Sequence, residues 1–308
     1  MTTPVRATAA SLQVLLKGII DYAGLFAPAS LNMMASVNNY SRYLNHPQRW
    51  ALGRFVLPVA RLDEFLNAQE NLADPWQLSA IVSANIEADL AVVEEFNREA
   101  PGAVIDSIEV RVCNQREIEL VRKHQPSATN AIYEIAPERA DELLPILRSV
   151  GGCAKLRTGG VVEEAFPSVE CVAGFIARCA ELGVPFKATA GLHHPLRCVR
   201  RLTCEPNSQE GTMHGFLNLF TAAAVAWSAV QAGGRRGAPD SGVLATGLAD
   251  RDSANWHFGE DAMIWRGGGE AVRIDVHDLR SMRSQFALSF GSCSFEEPLQ
   301  DLRELDLL

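Results

Sequence analysis

No apolar run in the 308-residue chain reaches the ~18 residues that a membrane-spanning helix requires. The nearest, Phe216 to Val230, is shorter and is broken by Asn218, Thr221 and Ser228. Arg6 and Lys17 stand near the start without a continuous apolar core and small-residue cleavage site, so no secretory signal is read. Excess positive charge is also missing. A net charge of −9 argues against a nucleic-acid-binding or anionic-membrane surface. The seven cysteines include no Cys-x-x-Cys pair. An odd, scattered set reads as reduced thiols in a cytoplasmic protein, and it offers no structural zinc site. No Gly-x-Gly-x-x-Gly follows the first expected strand, which lowers the case for a dinucleotide-binding sheet. These absences leave a small-molecule substrate as the expected partner, with homo-oligomerisation open.

What is present is ordinary globular composition, 47% hydrophobic and 21% charged, arranged in a steady rhythm. Residues 11–20 read as a helix entering a strand around Asp21. Residues 33–44, 62–72, 87–100, 115–124 and 137–150 carry helical spacing. Apolar strands at 53–62, 77–83, 107–112 and 131–136 alternate with them. Two further strands follow, one around Lys155 and one around Lys187. Seven strands therefore precede residue 195. Such alternation with short linkers predicts an α/β fold, a single-domain (β/α)8 TIM barrel over residues 1–308. Beyond Pro195 the rhythm loosens, and an insertion is expected between the seventh and last strands, about 196–276. Within it, residues 198–212 read as a polar loop, 213–231 as an apolar helix and 233–242 as a flexible connection; 243–275 are not placed. Residues 278–284 read as a helix, 285–295 as the last strand and turn, and 299–308 as a terminal helix.

Two segments repeat one pattern. Lys155-Leu-Arg-Thr158-Gly159 is followed 32 residues later by Lys187-Ala-Thr189-Ala-Gly191. Val172, Phe175, Ile176, Cys179 and Leu182 recur at helical spacing between them, and Gly183 stands as a C-cap. Strand, helix and strand in about forty residues form a βαβ unit, so the two lysine strands should be parallel neighbours. Alternation places Lys155 and Arg157 on one face, and Lys187 and Thr189 on a face of the next strand. A buried lysine beside a second cation should have a depressed pKa and become nucleophilic near neutral pH. The blander reading is a pair of strand-end lysines matched to carboxylates.

In barrels the site lies at the C-terminal ends of the strands. That rule gathers Asp21, Glu109, Arg111, Glu134, Lys155, Arg157, Lys187, Thr189, His193 and His194. Taken alone, Asp21 near Gly24 suits a turn, since Asp and Gly dominate turns. Glu109 and Glu134 suit counter-ions for Arg111 and Arg157, in a network that would still mark a polar cavity. Adjacent histidines on a loop give a weak metal signal; hydrogen bonding is their commoner role. His214, ahead of the apolar helix, fits an ordinary polar helix start better than an anion contact. Gly291, Ser292 and Cys293 sit on the last strand-to-helix turn, where backbone N–H groups can form an anion nest. With no accompanying His/Asn signature, Cys293 reads as an inert thiol.

In that order, the residues resemble deoxyribose-phosphate aldolase and related class I, Schiff-base aldolases. Residues 105–112 resemble the strand with that family's acidic proton-relay residue, Glu109 being the nearest match. Residues 132–136 resemble its next strand. Lys155, Thr158 and Gly159 fall in register with its Lys-Thr-Ser-Thr-Gly, Lys187 and Gly191 with its Lys-Ala-Ser-Gly-Gly-Ile. Residues 290–295 resemble its final Phe-Gly-Ala-Ser-Ser. Five motifs in order cover about residues 105–192 and 286–295. The whole chain also resembles a family found in bacteria. Arg157 stands where the pattern has serine, and a guanidinium suits a carboxylate by bidentate pairing.

The resemblance implies a lyase without a cofactor, in which Lys155 attacks a carbonyl while Lys187 and Glu109 adjust its charge and move protons. Arg157, Thr158, Glu134, Arg111, Asp21, Thr189, His193, His194 and Gly291 to Cys293 would then hold the substrate. A second reading places a divalent metal on Glu109, Glu134 and His193 or His194, for a metal-dependent lyase or isomerase. A third is a non-catalytic small-anion binding protein.

Overall fold

The computed structural model describes residues 8–69, 75–99, 102–203, 205, 207–231, 240–269 and 271–308. The connection expected over 233–242 lies outside them as far as residue 239. So do the last residues of the helices expected over 62–72 and 87–100.

Eight parallel strands close into a barrel. In chain order they begin with β1 (Ile20–Tyr22), β2 (Leu52–Pro58), β3 (Trp76–Val82) and β4 (Ala103–Arg111). Next come β5 (Asn130–Glu134), β6 (Cys153–Arg157) and β7 (Phe186–Thr189). A hairpin, β8 (Cys198–Arg201) and β9 (Glu210–Met213), and a three-stranded sheet, β10 (Trp256–Phe258), β11 (Ala262–Trp265) and β12 (Val272–Asp275), precede β13 (Ala287–Ser292). β13 closes the barrel between β7 and β1. The helices of the first seven units are α1 (Ala10–Leu16), α2 (Met33–Leu44), α3 (Leu62–Ala68), α4 (Ile86–Glu99), α5 (Gln115–His124), α6 (Ala140–Val150) and α7 (Val169–Leu182). The chain then adds α8 (Phe216–Gln231), α9 (Ser241–Ala249), α10 (Val276–Gln285) and α11 (Glu296–Glu304).

The βαβ unit around the lysines shows why the local sequence folds as it does. Ser168 caps α7 by accepting from the Cys171 N–H, and Gly183 ends it at φ 63°, a left-handed value that glycine tolerates. The stripe Val172, Phe175, Ile176 and Cys179 is fully buried, each large apolar side chain contributing ~1.5–3 kcal/mol. This helix returns the chain so that Lys155 and Lys187 become register partners on β6 and β7.

The insertion departs from the sequence reading. Residues 198–212 are not a loop but most of the antiparallel hairpin β8–β9. Three of the four β8 residues are exposed, so the strand carries no apolar alternation to betray it. Residues 243–275 resolve into α9 and the antiparallel order β10–β11–β12. The apolar helix begins at Phe216, not 213. Ten of its residues are buried, for it packs against α7, α9 and α10. No described helix is long and apolar enough to cross a membrane.

Candidate active site

Inward positions of five strands build the floor of the site. Glu109 on β4 accepts the ammonium of Lys155 on Oε2 at 2.7 Å and that of Lys187 on Oε1 at 2.6 Å. Lys187 also donates to Asp21 Oδ2 at 2.5 Å, and Lys155 to Glu134 Oε2 at 2.8 Å. Glu134 Oε1 in turn lies 3.3 Å from Arg157 Nε. The result is a row of alternating charge, Asp21, Lys187, Glu109, Lys155, Glu134, Arg157, crossing the barrel from β1 to β6. Both lysines are buried, at 5% side-chain exposure for Lys155 and 1% for Lys187. Bare charges there would be prohibitively costly; paired and hydrogen-bonded, they are tolerated.

The electrostatics reverse one expectation. Burial alone would push Lys187 down, yet Asp21 and Glu109 outweigh it and hold its pKa above the usual lysine value. The neighbouring lysine does not prevail, and the Glu109 carboxylate lies between the two ammonium groups. Burial likewise favours neutral Glu109, but Lys155 and Lys187 prevail and hold it well below the ordinary carboxylate range. Glu134 is lowered in the same way, with Lys155 and Arg157 overcoming burial. The matched-carboxylate reading of the lysines therefore holds, and it holds inside a cavity.

That cavity, about 590 Å³, opens over the C-terminal ends of the strands. Lys155, Lys187, Glu109, Glu134, Arg111 and Arg157 face it, as do Thr189, His193, Gly291 and Cys293. Four other expected contacts lie off its surface. Asp21 is buried beneath, accepting from Lys187, from Ser289 Oγ at 2.7 Å and from the Arg54 N–H at 2.8 Å. The turn reading of Asp21 thus gives way to a counter-ion. Thr158 donates to Ala190 O at 2.6 Å and joins the β6 and β7 loops. His194 hydrogen-bonds with Asp301 at 2.5 Å while His193 pairs with Glu297 at 2.9 Å. The two histidines therefore clip the β7 loop to successive turns of α11. Ser292 Oγ accepts from the Ser294 N–H at 3.3 Å. His214 is remote, its ring bonded to Pro167 O at 2.7 Å. Burial pushes its pKa down to about 4, the Pro167 bond opposing and Arg197 adding.

Sequence reading missed the supports of this floor. Ser79 Oγ donates to Glu109 Oε1 at 2.7 Å, and Ser289 does the same for Asp21. Their partners stand 30 and 268 residues away in the sequence, so only the closed barrel reveals them. The glycines of the repeated pattern have a shared cause. A Cβ added to Gly159 or to Gly191 would lie 2.9 Å from the other's Cα, and within 2.7 Å of Phe166. The two loops close on each other there, and only glycine fits. Also unforeseen is the apolar wall, Phe26, Ala27 and Pro28 on one loop and Val161, Val162 and Ala165 on another.

Among the described residues, no three His, Cys, Asp or Glu side chains converge to hold a metal ion. The donors of the metal reading are instead engaged with ammonium groups or with α11. Comparison with models of protein families, with curated proteins and with solved structures returned no match.

Proposed function

We propose that this barrel is a class I aldolase-like carbon–carbon lyase, acting through a Schiff base on Lys155 with a small carbonyl substrate bearing a carboxylate or phosphate. The observation that carries the reading is a buried lysine at the floor of a 590 Å³ cavity, held within 2.8 Å of two carboxylates. Lys187 is the rival nucleophile. Its ammonium sits between Asp21 and Glu109 with a raised pKa, which favours a permanent cation over an attacking amine. Lys155 shares Glu109 with Lys187, and its second partner Glu134 is divided with Arg157. The choice of Lys155 thus rests on its surroundings as well as on the aldolase resemblance.

In this mechanism Lys155 passes one proton to Glu134, and the neutral amine adds to the substrate carbonyl carbon. The carbinolamine takes up a proton and loses water, leaving a protonated imine. A carboxylate removes the proton of the β-hydroxyl, the adjacent carbon–carbon bond breaks, and its electron pair moves to the imine nitrogen as an enamine. A carbonyl product departs. The enamine carbon is then protonated, and water releases the second product and the free amine. Glu109 keeps the Lys187 charge beside the developing imine.

Sodium borohydride added with a panel of aldehydes, ketones and oxo acids tests this. Peptide mass spectrometry should find one reduced adduct on Lys155, absent from Lys155→Met. An adduct on Lys187 would transfer the nucleophile's role, and none from a broad panel would sink the Schiff-base reading.

A further inference from the structure

The cavity distributes its charge unevenly. Four cations, Lys155, Lys187, Arg111 and Arg157, meet three carboxylates, Asp21, Glu109 and Glu134, leaving one positive charge over. The surplus is Arg111, whose exposed guanidinium faces the cavity and has no partner among the described residues. Arg157 spends only Nε on Glu134, so both of its terminal nitrogens are available. Arg111 is the register partner of Glu134, and Glu134 of Lys155. The two arginines therefore flank Glu134 from strands about 10 Å apart, near enough for both side chains to reach one anion beside Lys155.

The opposite rim is built against an anion. α11 opens with Glu296 and Glu297. Glu297 is held ionised below its usual pKa, chiefly by its bond to His193, so that imidazole is engaged. Beside the expected nest, the Ser294 N–H is spent on Ser292 Oγ and the Glu297 N–H on Ser294 Oγ. A phosphate dianion beside His193 would have the Glu297 carboxylate directly behind that imidazole. The same cavity carries the apolar wall, with Val161 and Val162 nearly half exposed.

From these features the structure assigns a substrate class: a short oxo acid with an apolar substituent, not a phosphate ester. Arg111 and Arg157 hold the carboxylate, Lys155 meets a carbonyl a few bonds away, and Val161, Val162 and Phe26 cover the substituent. A planar carboxylate accepts bidentate pairing from either guanidinium. This rests on the Schiff-base reading only for the place of the carbonyl.

Two separate measurements keep the two ideas apart. Calorimetric titration with the unreactive pair 4-methylpentanoate and isopentyl phosphate reads the anion and apolar subsites without chemistry. The carboxylate should bind wild type at least about tenfold more tightly, Arg111→Met should lose about tenfold of that, and Arg111→Lys should recover part. Equal or tighter binding of the phosphate, or a carboxylate affinity indifferent to Arg111→Met, would overturn the assignment. The wild-type comparison decides even if a variant folds poorly. Borohydride trapping with 4-methyl-2-oxopentanoate, acetaldehyde and dihydroxyacetone phosphate then reads the chemistry. The oxo acid should give the most Lys155 adduct. No adduct from any carbonyl, with the carboxylate preference intact, would sink the Schiff base and leave the anion site standing.

Discussion

Lys155 and Lys187 are register partners on adjacent strands, and their ammonium groups are kept apart by a single carboxylate, one oxygen of Glu109 facing each. Two cations in the barrel interior thereby become a neutralised set. The arrangement also makes Glu109 the point at which both lysines are most easily perturbed.

Glu109→Gln should cost about 3–5 kcal/mol at neutral pH, because two buried ammonium groups lose their shared counter-ion. The pH dependence carries the sharper signature. A carboxylate whose folded pKa is depressed contributes stability that is present above its unfolded pKa, about 4.3, and lost as pH falls through the folded value. Glu109 and Glu134 are both depressed. Urea denaturation from pH 7 down to pH 3 should therefore show a shallower acid decline in the variant than in the wild type. Identical slopes would remove Glu109 as a source of the acid sensitivity.

Asp21→Asn bears on the alkaline side. The raised pKa of Lys187 contributes stability that is fully present below the unfolded lysine pKa, about 10.4, and is lost as pH rises through the folded value. Removing Asp21 leaves Lys187 with Glu109 alone, so its folded pKa should fall. Denaturation between pH 8 and pH 11 should show a shallower alkaline decline in the variant than in the wild type, the gap between the two narrowing as pH rises. A simple vertical offset with no change in pH dependence would contradict this role for Asp21.

Gly53→Ala tests how closely Asp21 is fitted. The new Cβ would stand 2.2 Å from Asp21 Oδ1, so the carboxylate must move off Lys187. The expected loss is about 1–3 kcal/mol, as for overpacking elsewhere. It should not add to the loss in Asp21→Asn, since both act on one contact. Full additivity in the double variant would show that the glycine answers to something else.

Thr158→Val removes the hydroxyl that donates to Ala190 O at 2.6 Å while keeping the side-chain shape. Ala190 is held at φ 63°, a left-handed conformation that needs support in a residue with a Cβ. We expect a loss of about 1–2 kcal/mol and slower borohydride trapping, because the β7 loop borders the cavity. Unchanged melting temperature and trapping rate would assign Thr158 no part in holding that loop.

The sequence by itself determined the barrel and most of its charged floor. Apolar strands alternating with amphipathic helices have one economical closure, and period-two alternation sends Lys155, Lys187, Glu109 and Glu134 inward whatever else the chain does. What only the tertiary structure decided is which charges meet. Alternation says that two lysines share a face; it does not say that Glu109 reaches across from two and three strands away to part them. The depressed lysine pKa expected from two adjacent cations failed for Lys187 on that account. Asp21 looked like a turn residue because its partners, Ser289 and Lys187, are 268 and 166 residues distant. The β8–β9 hairpin was hidden for the opposite reason. A strand exposed on most of its length buries little, so pairing holds it while its sequence carries no apolar period.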